Sequence, residues 1–276
     1  MFKGENLDLI KEKVVNLDVS NFENFDSMFE GAKCSSTLDL SKWDVSKAKS
    51  MRSMFKGSNI KNIILGCWNV SNVKDMSHMF EKSTFNGDIS QWDVSNVEDM
   101  SYMFFESKFN GDISHWNVSN VKNMKGMFMG SVFTKRLYYW NVSNVENMSH
   151  MFCRSIFDGN ICKWKTSKVK DMSYMFSESA FDGDIKRWDV SNVENMEYMF
   201  FKAVFNGDIS PWDVSKVKNM NHMFEDSEFA RDISNWKPEA LREARFMFSG
   251  TNYPWKKKIQ EKWDLKKVDT EGMFGN

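Results

Sequence analysis

Three prolines, four histidines and four cysteines are spread over 276 residues. Each scarcity excludes something. So few histidines leave little room for a metal centre or an acid–base relay. The cysteines Cys34, Cys67, Cys153 and Cys162 do not recur at one position of any local pattern, so they do not read as a disulfide framework, and free thiols are expected. No apolar run approaches the 18 or so residues of a membrane-spanning helix. The first fifteen residues, MFKGENLDLIKEKVV, have no apolar signal-peptide core. Charge of one sign is lacking too: 37 Lys and Arg stand against 38 Asp and Glu, a net charge of −1. A nucleic-acid footprint is strongly basic, so no nucleic-acid partner is expected. G-x-S-x-G, H-E-x-x-H, P-loop and zinc-type cysteine patterns are all missing. No catalytic residue, cofactor or metal is therefore expected, and the chain reads as a non-enzyme.

What is abundant is repetition. Trp68, Trp92, Trp116, Trp140, Trp164, Trp188, Trp212 and Trp236 are spaced by 24 without slippage. Such a ruler marks one supersecondary unit stacked on its copies. The Met-Phe pair recurs eleven times between Met28 and Met273, and Met1-Phe2 matches its phase. A single domain over 1–276 follows, with an irregular first part at 1–36, regular copies at 37–236 and a divergent last part at 237–276.

The clearest copy is 85–104, FNGDISQWDVSNVEDMSYMF. Ile89-x-x-Trp92-x-Val94 ends in the alternation of a half-buried strand. Val97, Met100, Met103 and Phe104 fall on one stripe of a short helix. Ser95 and Glu98 fit a capping box at its start, as do Ser20 and Glu23, Ser143 and Glu146, and Ser191 and Glu194. Asn86-Gly87-Asp88 supplies turn chemistry. The expected fold is an α/β solenoid, with a parallel sheet on one face and short helices on the other. Twenty-one methionines are expected as core filler.

Several columns carry chemistry-bearing side chains. His78, His150 and His222 share a column with Tyr102, Tyr174, Tyr198 and Phe246, which reads as an aromatic ladder. Asp columns after Trp (Asp93, Asp189, Asp213) and in the turn (Asp88, Asp112, Asp184, Asp208, Asp232) read as acceptors for nearby amides rather than a calcium cage. Asn69, Asn117, Asn141 and Asn147 stand in glycosylation patterns, but three of them replace Asp of the repeat, so no glycan is expected. The column immediately before Trp varies while its neighbours repeat. Its variation peaks mid-array, where Thr134-Lys135-Arg136 replaces the Asn-Gly-Asp turn. A partner-binding patch is expected there on His115, Arg136, Tyr139, Lys163, Lys165 and Arg187, since Tyr and Arg are favoured in interface hot spots.

The unit WDVSNVxxMSxMFxxxxFNGDIS resembles the tandem repeat of BspA-like leucine-rich-repeat proteins. These are bacterial surface proteins and lipoproteins, with similar arrays in protists and large DNA viruses. The resemblance runs over nearly the whole chain. It implies a right-handed leucine-rich-repeat-like array of about eleven copies and a non-catalytic protein-binding scaffold of surface or adhesion type, located on a cell surface or virion. The alternative is a structural or assembly component that stacks through its ends or sides.

Overall fold

The computed structural model describes residues 1–66 and 68–275. Cys67, one of the four expected free thiols and a member of the column before Trp, lies outside the described residues. The other three cysteines are unpaired, so no bridge joins Cys153 and Cys162.

Each copy lies against the next in parallel. Isolated parallel bridges link Asn24 to Ser50, Ser50 to Asp75, Asp75 to Asp99 and so on to Asp269. These bridges fall just before the first Met of each copy, not beside Trp. From there the backbone divides its hydrogen bonds between two directions. The amides of Met100, Tyr102, Phe104 and Glu106 donate to the carbonyls of Asn123, Lys125, Met127 and Met129 in the next copy, at 2.7–3.0 Å. The amides of Met103, Phe105 and Ser107 donate three residues back, to Met100, Tyr102 and Phe104. The Ser101 amide goes to the Asp99 carboxylate at 2.7 Å. Every amide from 100 to 107 is thus satisfied, as buried backbone demands.

This pattern replaces the short helix expected at 97–104, which forms as a run of tight turns. A helix spends all its amides internally, whereas here every second one holds the neighbouring copy. The route requires positive φ at two positions four residues apart, Tyr102 (φ 55°) and Glu106 (φ 49°). In the next copy both places are glycine, Gly126 (φ 59°) and Gly130 (φ 61°). The capping boxes do not form either, because there is no helix start to cap. Glu98, Glu146 and Glu194 instead reach Lys122, Lys170 and Lys218 of the following copy at 2.5–2.9 Å.

The Trp segment also differs from the expected strand. The Trp92 amide bonds back to Ile89 and the Val97 amide to Val94, so 89–97 is two successive turns. Asp88 and Asp93 accept from the amides two residues on, Ser90 and Ser95, at 2.9 and 3.0 Å. These local side-chain bonds compete with a ladder and win. Among the described residues, regular strands appear only as β1 (Lys33–Asp39) and β2 (Asn59–Ile64), paired in parallel with Cys34 opposite Ile60. The first copies are longer: successive Met-Phe pairs lie 26 and then 25 residues apart before settling at 24. The extra residues fall in this segment and let it straighten. In regular copies Phe85 folds over Gly87 here, leaving its ring 2.8 Å from where a Cβ would stand. A 3-10 turn at Leu7–Leu9 and helix α1 (Lys11–Val15) precede the first copy, and α2 (Lys256–Lys262) interrupts the last.

The core is made of columns. The Trp residues of the ruler are buried, and indole rings stack between Trp68 and Trp92, Trp164 and Trp188, and Trp212 and Trp236, at 6.1–6.3 Å. Phe80, Phe104 and Phe128 form a second column at 5.7–5.8 Å. Phe85, Phe109 and Phe133 form a third at 6.0–6.4 Å. The methionines between them, such as Met100 and Met103, are fully buried and fill the remaining space. Each indole N–H is also placed. Trp116 donates to the Ile89 carbonyl at 3.1 Å and Trp140 to Ile113 at 3.0 Å, one copy back. Trp92 and Trp263 are exceptions, with buried indole nitrogens that have no partner among the described residues.

Candidate functional site

The histidine column forms a stack at the edge of the core. His150, Tyr174, Tyr198 and His222 follow one another at 4.6, 4.6 and 4.3 Å. His78 and Tyr102 form a separate pair at 5.0 Å, because Gly126 leaves no ring between Tyr102 and His150. His78 and His222 each hold a glutamate three residues on, Glu81 and Glu225, at 2.5 and 2.6 Å. His150 has a buried Nδ1 without a partner, and burial holds its imidazole below the usual histidine range. Burial raises the Cys153 thiol, which disfavours the reactive thiolate. The column is packing with polar edges.

The Asp columns are acceptors, and the carboxylates of Asp88, Asp93, Asp112 and Asp213 sit below the ordinary range for that reason. Asp93 and Asp213 are lowered by bonds from Ser95 and Ser215. Asp208 is lowered to about 2, first by Lys186 and then by Ser210. Among the described residues no group of three or more His, Cys, Asp or Glu is arranged to hold a metal ion.

The patch expected mid-array is partly assembled. His115, Arg136 and Tyr139 line one open recess of about 860 Å³, together with Asp112, Lys135 and Tyr138. Tyr139 is 81% exposed and meets Tyr138 edge to face at 4.9 Å. Lys163 enters from the following copy by placing its ammonium 4.7 Å from the centre of the Tyr138 ring. Lys165 and Arg187 are exposed but do not line the recess. Tyr138 was not among the expected site residues. Its signal was present, since Tyr stands there where Ser90, Ser114 and Ser210 stand in other copies.

A lattice of paired charges, also unread from the sequence, runs along another side. Column members alternate Glu98, Lys122, Glu146, Lys170, Glu194 and Lys218. Hydrogen bonding to the lysine of the next copy holds each of these glutamates below the usual carboxylate range. The cations of the Tyr patch have no such partner. Among the described residues, Lys135, Arg136, Lys163 and Lys165 make no ion pair, whereas Lys186 in the following copy pairs with Asp208 at 2.6 Å.

A family model described as "Mycoplasma protein of unknown function, DUF285" matches four overlapping stretches, 1–80, 58–155, 130–205 and 179–276. The chain belongs to the DUF285 family. The overlap of the four DUF285 matches is that of a tandem repeat, in keeping with the 24-residue ruler. No curated protein and no solved structure matches the chain. No helix among the described residues is long and apolar enough to cross a membrane.

Proposed function

We propose that this DUF285 chain is a non-catalytic scaffold that binds a protein partner through the recess around Tyr139. The array itself we read as a right-handed solenoid akin to the BspA-like leucine-rich-repeat proteins, of surface or adhesion type. One observation carries the binding reading. A tyrosine that is 81% exposed stands at a recess where the repeat abandons its Asn-Gly-Asp turn for Thr-Lys-Arg. An aromatic left in water contributes nothing to the core, and such rings with arginine are favoured in binding hot spots. A regular frame with one irregular face also suits a repeat protein that recognises rather than reacts.

The test is site-specific crosslinking. A photoreactive residue is placed at 139 in one variant and at 213, on another part of the array, in a second. Each is exposed to extract from the native source. A discrete adduct from 139 alone, lost when Lys163→Glu is added, supports the reading. Equal labelling from both positions overturns it. Growth of the purified chain with concentration in sedimentation, with no adduct, favours the assembly alternative.

A further inference from the structure

We infer that the Tyr139 recess takes a short acidic segment of a protein, about three or four residues long, with an aromatic or aliphatic side chain beside its carboxylates. This rests on the binding reading above and adds the chemistry of the bound partner.

The first support is unspent charge. In the column from Glu98 to Lys218, lysines are matched copy by copy to glutamates. At the patch, Lys135, Arg136, Lys163 and Lys165 are exposed and make no ion pair among the described residues, although Asp112 shares the recess with Lys135 and Arg136. The acids that lie near are already engaged. Asp112 accepts from the Ser114 amide at 2.9 Å and Asp158 from the Asp182 amide at 3.2 Å. Asp112 is thus fixed in its own turn, and Asp158 is tied to the following copy. A partner carboxylate meets free cations first, which gives steering as well as contact.

The second support is length. The turn column reads Asp88, Asp112, Arg136, Asn160, Asp184, Asp208 and Asp232. Its sign reverses at Arg136 and returns to acid one copy beyond Asn160. The cations therefore occupy little more than two successive copies, about 5–10 Å along the array at ordinary strand spacing. With their side-chain reach they match three or four extended residues at ~3.3 Å each. A long polyanion, such as a nucleic acid or a sulfated glycan, runs onto Asp112 on one side and Asp184 on the other. That disfavours it relative to a short acidic stretch in an otherwise neutral chain.

The third support is the ring pair. Tyr138 is held edge-on to Tyr139 and capped by Lys163, so the platform is ordered before anything binds. Pre-ordered aromatic surface contributes affinity without ordering cost. It favours a ligand with an apolar side chain beside its charge over a bare polyanion.

The experiment uses the full chain and four fluorescein-labelled probes. They are a peptide with three consecutive Glu followed by Tyr, the same peptide with Gln for Glu, a sulfated dodecasaccharide, and a single-stranded DNA 12-mer. Anisotropy is expected to show the Glu peptide binding at least about fivefold tighter than the Gln peptide and tighter than both polyanions. Lys163→Glu and Tyr139→Ala should each weaken it by about fivefold or more. Lys237→Glu makes the same charge change on an exposed lysine several copies away, and it should leave binding within about twofold. Equal binding of the Glu and Gln peptides, preference for either polyanion, or no binding at millimolar peptide each overturns the inference. Failure here remains separable from failure of the scaffold reading. A partner crosslinked at 139 but not displaced by the Glu peptide would leave the scaffold standing and remove the acidic segment.

Discussion

Trp92 and Trp116 occupy the same phase of the repeat, are each 4% exposed, and differ in one bond. The Trp116 indole donates to the Ile89 carbonyl at 3.1 Å, while the Trp92 indole nitrogen is buried with no acceptor. Replacing each by Phe removes a similar volume, so the packing losses should nearly cancel in a comparison. What remains is the polar difference. Trp116→Phe forfeits a hydrogen bond worth about 0.5–1.5 kcal/mol net. The Ile89 carbonyl keeps its second donor, the Trp92 amide, so no larger penalty follows. Trp92→Phe deletes an unpaired buried donor, whose desolvation costs about 1–3 kcal/mol. Trp116→Phe should therefore be more destabilising than Trp92→Phe by roughly 2 kcal/mol, and up to about 4. Urea unfolding followed by far-ultraviolet circular dichroism measures this, provided both variants keep the wild-type denaturant slope. Equal costs, or a larger cost at Trp92, would refute the claim that the indole bonds tie one copy to the last.

Glu178 is exposed and holds φ at 54°, so Glu178→Gly should be neutral or stabilising by up to about 1 kcal/mol, since relief of a left-handed residue offsets glycine's entropy; a loss of about 1 kcal/mol, as in a helix interior, would restore the helix reading. His150 is held neutral by burial, with its folded pKa below the unfolded value. Its stability contribution is then present above about pH 6.5 and declines as pH falls through that value. The melting temperature should drop more between pH 7.5 and 5.5 in the wild type than in His150→Phe, a residue the column already accepts at Phe246; parallel profiles would count against it. Lys122→Glu puts a third glutamate between Glu98 and Glu146, so its melting temperature should fall at low salt and recover toward wild type near 1 M salt, where screening is nearly complete; a salt-independent loss would point to packing instead.

The Trp ruler and the Met-Phe pairs were readable from spacing alone, because a stacked copy repeats its buried positions at a fixed interval. The secondary structure inside the copy was not. Val97, Met100, Met103 and Phe104 fit a helix stripe, yet they are buried by a chain that turns at Tyr102 and Glu106. Burial period alone does not tell a helix from a set of turns that brings the same residues inward. A usable sign was nonetheless present. Gly126 and Gly130 share the columns of Tyr102 and Glu106, and glycines four apart in fixed columns mark positive φ rather than helix. At the site, column variation pointed to Tyr139 and Lys163 but could not show that Lys163 caps Tyr138, because that contact joins two copies through a residue outside the chosen column. Nor could it show that Lys165 and Arg187 stand outside the recess.

The alternation of Glu98, Lys122, Glu146, Lys170, Glu194 and Lys218 changes what counts as the unit of the array. Shape repeats every 24 residues, but charge repeats only every second copy. Loss or gain of one copy within 98–218 would set glutamate against glutamate or lysine against lysine at the junction. Loss or gain of a pair would leave every junction matched. The same rule bears on folding, where a misaligned copy one place out of step meets like charge and one two places out does not. Copy number in this stretch is thus expected to change most easily by twos, and an engineer who lengthens the array should insert 48 residues rather than 24.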